Sequence, residues 1–264
     1  MISESFITFG KYTLFMQQAG QGKPVIILEA GAGDDSTTWK DIFSAIAQFS
    51  HAMVYDRAGL GRSEKPSTPR TALQLVSDLH SLLQAARLEG PYLLVGHSLG
   101  ALVCRLYAQQ YRREVAGLVF IDGPHPEQGR RFTAALTASG WAEHEQVRPI
   151  LAMASGVAPE QHPERLDFAQ SLTEVDQTRT FGDLPLAIIS SSKPPEEAWP
   201  DLPIQAARAL TQTWDAMQSD LPTLSVKGTH FITNRSGHYI HRDEPEFVIE
   251  IIHQIVQTIR NERH

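Results

Sequence analysis

The 264-residue chain is long enough to bury a large core in a single domain. A hydrophobic content of 42% and a charged content of 20% are globular values and exclude a disordered or fibrous protein. The net charge of −7, with no dense Lys/Arg cluster to offset it, argues against a nucleic-acid surface, and no apolar run reaches bilayer length. The first residues, Met1-Ile2-Ser3-Glu4-Ser5, lack the basic segment and apolar stretch of a secretory leader, so the expectation is a cytoplasmic protein with no membrane partner. The single Cys104 cannot form an internal disulfide and is expected to be a small buried residue.

Residues 5–18 suggest two short strands meeting near Gly10-Lys11. After a turn at residues 20–24, the run Val25-Ile26-Ile27-Leu28 is continuously apolar, as expected of a strand covered on both faces. It ends in Glu29-Ala30-Gly31-Ala32-Gly33, a glycine-bearing loop in which the Ala32 amide can face a ligand. Trp39, Ile42, Phe43, Ile46 and Phe49 then follow at near-helical spacing. A strand over 52–55 runs into Asp56-Arg57-Ala58-Gly59-Leu60-Gly61-Arg62-Ser63, and Thr71-Ala72-Leu73-Gln74 has the form of a capping box opening a helix with Leu75, Leu79, Leu82 and Ala86 on one face.

That helix leads to Tyr92-Leu93-Leu94-Val95-Gly96-His97-Ser98-Leu99-Gly100, in which a buried strand meets a helix through a G-x-S-x-G turn. A Cβ at either glycine would clash where the backbones approach, so the turn lifts the Ser98 hydroxyl out of the scaffold. It also places the Leu99 amide at a helix start, where unpaired donors favour developing negative charge. Residues 115–121 form another buried strand, ending at Asp122-Gly123-Pro124. Alternating strands and helices imply a mainly parallel sheet with helices on both faces. Glu29, Asp56, Ser98 and Asp122 should then emerge at one end of it, the carboxyl ends of the strands.

From residue 124 to 182 the rhythm changes to polar, helix-compatible pieces broken by Pro149, Pro159 and Pro163, which suggests an inserted cap. Its apolar residues Phe132, Leu136, Trp141, Leu151, Met153, Leu166 and Phe168 could wall a substrate pocket or simply form the core of the insertion. The sheet resumes at residues 184–190, followed by a helix near 204–219, a last strand near 230–233 and a helix that Pro245 opens. His238, on the loop after the last strand, is the histidine placed to act as a base. His97 points elsewhere if Ser98 occupies the apex, His230 lies within a strand, and His241 falls near a helix start.

Taken together, Gly96-His97-Ser98-Leu99-Gly100, Gly31-Ala32-Gly33, Asp56 to Ser63 and Ser236-Gly237-His238 resemble, in order, the nucleophile elbow, oxyanion loop, post-strand-four turn and histidine loop of the α/β-hydrolase family. The resemblance spans essentially the whole chain. It implies a mostly parallel eight-stranded sheet flanked by helices, with residues 1–123 and 183–264 as the core and 124–182 as a helical cap between strands six and seven. It further implies a Ser98, His238 and acid triad, with the Ala32 and Leu99 amides as the oxyanion hole.

The family's usual acid follows strand seven, but Ser190-Ser191-Ser192-Lys193-Pro194-Pro195 stands there without a carboxylate. Some members carry the acid at the tip of strand six, which is Asp122 here; Glu196 and Glu197 are the alternatives, and Asp122 could also be only a turn residue. Glu29 is expected to pair with Arg57 and brace the oxyanion loop. The implied activity is a cofactor-free and metal-free serine hydrolase acting on a small ester, lactone or thioester. The same site could instead serve a lyase, a C–C bond hydrolase or a ligand-binding sensor. Ser98 argues against dehalogenase and epoxide hydrolase chemistry, which in this family uses an aspartate nucleophile.

Overall fold

The run from Val25 to Leu28 alternates its side chains between two apolar layers: Val25 and Ile27 pack into one, Ile26 and Leu28 into the other. The computed structural model describes residues 1–10, 12–66, 68–156, 164–178 and 180–262. Its eight strands are β1 (Ser3–Phe9), β2 (Tyr12–Ala19), β3 (Val25–Glu29), β4 (Ala52–Tyr55), β5 (Tyr92–His97), β6 (Val115–Ile121), β7 (Leu186–Ser191) and β8 (Gly228–Thr233). They form one sheet in the order β1-β2-β4-β3-β5-β6-β7-β8. β2 pairs antiparallel with both β1 and β4, and every other pairing is parallel. This is the expected mostly parallel eight-stranded sheet, its inner strands fully buried because both faces are covered.

One face is covered by α2 (Ala72–Ala85) and α3 (Leu99–Gln110), with Leu75, Leu79, Tyr107 and the 0% exposed Cys104 among the packed residues. The other is covered by α1 (Lys40–Ile46), the short α9 (Ile240–Asp243) and the C-terminal α10 (Pro245–Asn261), through Ile42, Ile46, Ile240, Val248, Ile252 and Ile259. Trp39 precedes α1 in a short 3-10 turn rather than in the helix itself. At the start of α2, the Gln74 side chain accepts the Thr71 N–H at 2.7 Å, as the capping box requires.

Between β6 and β7 the described residues are helical: α4 (Gln128–Ala138), α5 (Arg148–Ser155) and α6 (Phe168–Asp176). Pro149 lies in the first turn of α5, where its missing N–H costs nothing, so it opens that helix rather than breaking it. Pro159 and Pro163 lie outside the described residues. The segment divides in its packing. α4 and α5 share a third apolar cluster with α8 (Ile204–Asp220), a helix from beyond β7, built on Phe132, Leu136, Leu210 and Met217. α6 instead joins the main core through Leu172 and Val175 and caps α2, where Ser171 Oγ and Glu174 Oε2 accept the Ala72 and Leu73 amides at 2.9 and 3.0 Å. No helix among the described residues is long and apolar enough to cross a membrane.

Candidate active site

β5 ends at His97 and α3 begins at Leu99, which isolates Ser98 at the apex of the turn. Its backbone, at φ 50° and ψ −122°, occupies a region that side chains seldom adopt, at a cost on the order of 1–3 kcal/mol. Surrounding bonds hold it there: the Ser98 N–H donates to Ile121 O at 3.0 Å and Ser98 O accepts the Ala101 N–H at 2.9 Å. The flanking glycines permit the close approach. A Cβ on Gly96 would lie 2.4 Å from the Gly100 backbone, and one on Gly100 would lie 2.1 Å from Glu29 O.

Asp122 follows β6 and also has a positive φ, 46°. Its N–H donates to Ile189 O at 2.7 Å, and its Oδ1 accepts the Ser191 N–H at 3.0 Å. The remaining oxygen, Oδ2, lies 2.7 Å from His238 Nδ1. An ionised carboxylate can only accept, so the imidazole proton sits on Nδ1 and Nε2 is left with a free lone pair. The carboxylate is 6% exposed and the imidazole 45% exposed, so the pair is anchored at one end and open at the other.

His97, 1% exposed, packs its ring onto the histidine loop, with Nε2 at 2.9 Å from His238 O. Burial, reinforced by the neighbouring His238 and His241, pushes its pKa well below the usual histidine value, so it acts as a neutral donor. Ser191 Oγ donates to Ser236 O at 2.7 Å and Ser236 Oγ to Glu244 Oε1 at 2.6 Å, fixing the same loop from its other end.

Ser98, His238, Asp122, Ala32 and Leu99 all line one cavity of about 560 Å³. As the first residue of α3, Leu99 has no carbonyl within the helix for its N–H. Glu197, on the short helix α7 (Pro195–Ala198), reaches the cavity wall but lies 3.4 Å from Lys193 Nζ; Glu196 is absent from the wall. His238 is therefore paired with Asp122 and with neither glutamate. Of the apolar residues singled out for the pocket, Phe132, Met153 and Phe168 line it, whereas Leu136, Trp141 and Leu151 pack in the third cluster and Leu166 in the main core. Trp199 and Trp214, from beyond β7, line the cavity too, and the sequence pattern had not drawn attention to them. Among the described residues no group of three His, Cys, Asp or Glu side chains could hold a metal ion.

The loop bearing Ala32 is braced from beneath. Arg57 Nη1 lies 2.7 Å from Glu29 Oε1, the expected ion pair, and donates to Ala30 O at 2.7 Å, while Nη2 donates to Gly31 O at 2.6 Å. Tyr55 donates its hydroxyl to Glu29 Oε2 at 2.6 Å. A second carboxylate, Glu164, completes the cluster: its Oε2 takes Arg57 Nε at 2.5 Å, and its Oε1 takes both Arg57 Nη2 at 2.8 Å and the Gly33 N–H at 2.9 Å. Burial raises the Glu29 pKa. Burial also works against the Arg57 charge, but Glu164 and Glu29 outweigh it and hold that pKa well above the ordinary value. Glu164 stands 107 positions from Arg57 in a polar stretch, so no local spacing could have revealed it.

The sequence matches the alpha/beta hydrolase family over residues 25–251. With the sheet order and the Ser98 turn, this match establishes that the chain belongs to that family. It is 32% identical over 237 residues to the uncharacterized protein YqjL of Bacillus subtilis, covering 89% of this chain and 85% of that one. Further curated relatives are matched over less than half of their length. Among solved structures, a thermophilic esterase from Thermogutta terrifontis aligns with a TM-score of 0.65 at 19% identity, covering 97% of this chain and 99% of that one. A haloalkane dehalogenase from Bradyrhizobium elkani aligns with a TM-score of 0.69 at 18% identity, covering 99% and 100%. These two likenesses establish the fold alone, which is host to different chemistries.

Proposed function

We propose that this chain is a cytoplasmic, cofactor-free serine hydrolase that cleaves a small carboxylic ester, lactone or thioester through an acyl-enzyme. The observation that carries the reading is the 2.7 Å contact between His238 Nδ1 and Asp122 Oδ2 in the cavity that Ser98 lines. In the first half-reaction His238 Nε2 takes the Ser98 proton as Oγ attacks the carbonyl carbon, and then gives it to the leaving alcohol or thiol. Asp122 fixes the imidazole tautomer and stabilises the imidazolium without taking the proton. The Ala32 and Leu99 amides hold the tetrahedral oxyanion, a contribution of about 10²- to 10³-fold in rate per donor. Water, activated by the same histidine, releases the acid in the second half-reaction. Helices α4 and α5 act as the cap, closing the acyl pocket with α8.

The test is initial rates on p-nitrophenyl esters from acetate to decanoate for the wild type and Ser98→Ala in parallel. Saturable turnover that falls by roughly a thousandfold or more in the variant is expected. The chain-length profile then sizes the pocket. Absence of turnover above the variant on every ester would overturn the esterase reading and leave a lyase or a ligand sensor.

A further inference from the structure

Among the charged groups on the cavity wall that the proposed reaction leaves unused, Asp215 is the one that no ion pair reaches among the described residues. It lies on α8 beside Trp214, half-buried, and both residues line the cavity with Ser98 and His238. Its hydrogen bonding is weak: Ser192 Oγ stands 3.5 Å from Oδ2. The other charges on this wall are already matched, Lys193 by Glu197 and Asp122 by His238. No ion pair reaches Asp215 among the described residues. The groups that act on it electrostatically are His230, on β8, and Asp122. His230 is a poor counter-charge, because burial lowers its pKa and its Nε2 is engaged with Ser190 Oγ at 2.7 Å.

A half-buried carboxylate facing an apolar cavity without a cation is a cost that a solvent-facing helix residue would not incur. The surrounding wall is aromatic. Phe132, Trp199 and Trp214 line it together, with the Phe132 ring centroid 6.3 Å from Trp199 and 6.5 Å from Trp214, and aromatic rings attract a cation placed over them. Position adds a constraint: Ser191 donates to Asp122 and the next residue, Ser192, contacts Asp215, so the unpaired charge sits beside the proposed catalytic acid.

We propose that Asp215, with Trp214 and Trp199, forms a subsite for a cationic group, an ammonium or amine carried on an alkyl chain by the substrate. This deepens the hydrolase reading by naming the substrate class, yet it concerns binding and can be tested without turnover. The experiment is calorimetric titration of the full chain with hexylammonium and with hexanol, which differ in charge but little in shape. The wild type is expected to bind hexylammonium about tenfold or more tightly than hexanol, as a charge-assisted hydrogen bond would give. Asp215→Asn abolishes the difference and Asp215→Glu retains it. Ser98→Ala leaves it unchanged, so failure of the esterase reading would not touch this result. Equal affinities in the wild type, no binding of either probe, or a preference that survives in Asp215→Asn would each overturn the proposal.

Discussion

Asp122 supports two demands with its two oxygens: Oδ1 is pinned by the Ser191 amide, which leaves Oδ2 for His238 alone. Asp122→Asn keeps the shape but can donate to Nδ1, favouring the wrong tautomer. The expected outcome is a fall in kcat of about 10⁴-fold with KM little changed, measured on the best p-nitrophenyl ester. Glu197→Gln, which touches Lys193 and not the imidazole, should cost far less in the same assay. Much of this was legible in the sequence, because a carboxylate at a strand tip and a histidine on the last loop are both local patterns. The support was not: the Ser191 amide and the His97 ring reach their partners only through the parallel packing of β5, β6 and β7.

At the scale of elements, the Arg57 cluster ties the loop after β3 to a residue between β6 and β7. Glu164 takes the Gly33 amide and two nitrogens of Arg57, so its loss slackens the loop carrying Ala32 and leaves a buried guanidinium with one carboxylate. Glu164→Ala is expected to lower stability by about 3–5 kcal/mol in urea unfolding. Activity should fall chiefly in kcat, since in the proposed reaction the Ala32 amide serves the transition state. Periodicity foresaw α1, α2 and the apolar stripe of α10, and a local motif foresaw the Thr71 cap. It could not foresee that α8 would join α4 and α5, because an amphipathic stripe declares that a face is buried and not what buries it.

For the whole molecule, the buried histidines set the response to acid. Burial, Arg242 and His238 lower the His241 pKa from 6.5 to about 3, and His97 is shifted in the same direction. As pH falls below about 6.5 the unfolded chain takes up protons that the native state refuses, so stability is lost progressively until the pH nears 3. For His241 alone the slope is about 1.4 kcal/mol per pH unit. Urea unfolding between about pH 7 and pH 5 should show it, and His241→Asn should remove that share of the slope while leaving the share of His97. Cys104 offers a way to read such changes. It is fully enclosed on α3, the helix that starts at the Ser98 turn, and burial pushes its thiol pKa well above normal. A thiol reagent can therefore label the chain only when α3 lifts from the sheet. The molecule carries its own built-in clock for opening: a variant that loses activity while labelling stays slow has lost chemistry, and one that labels fast has lost its scaffold.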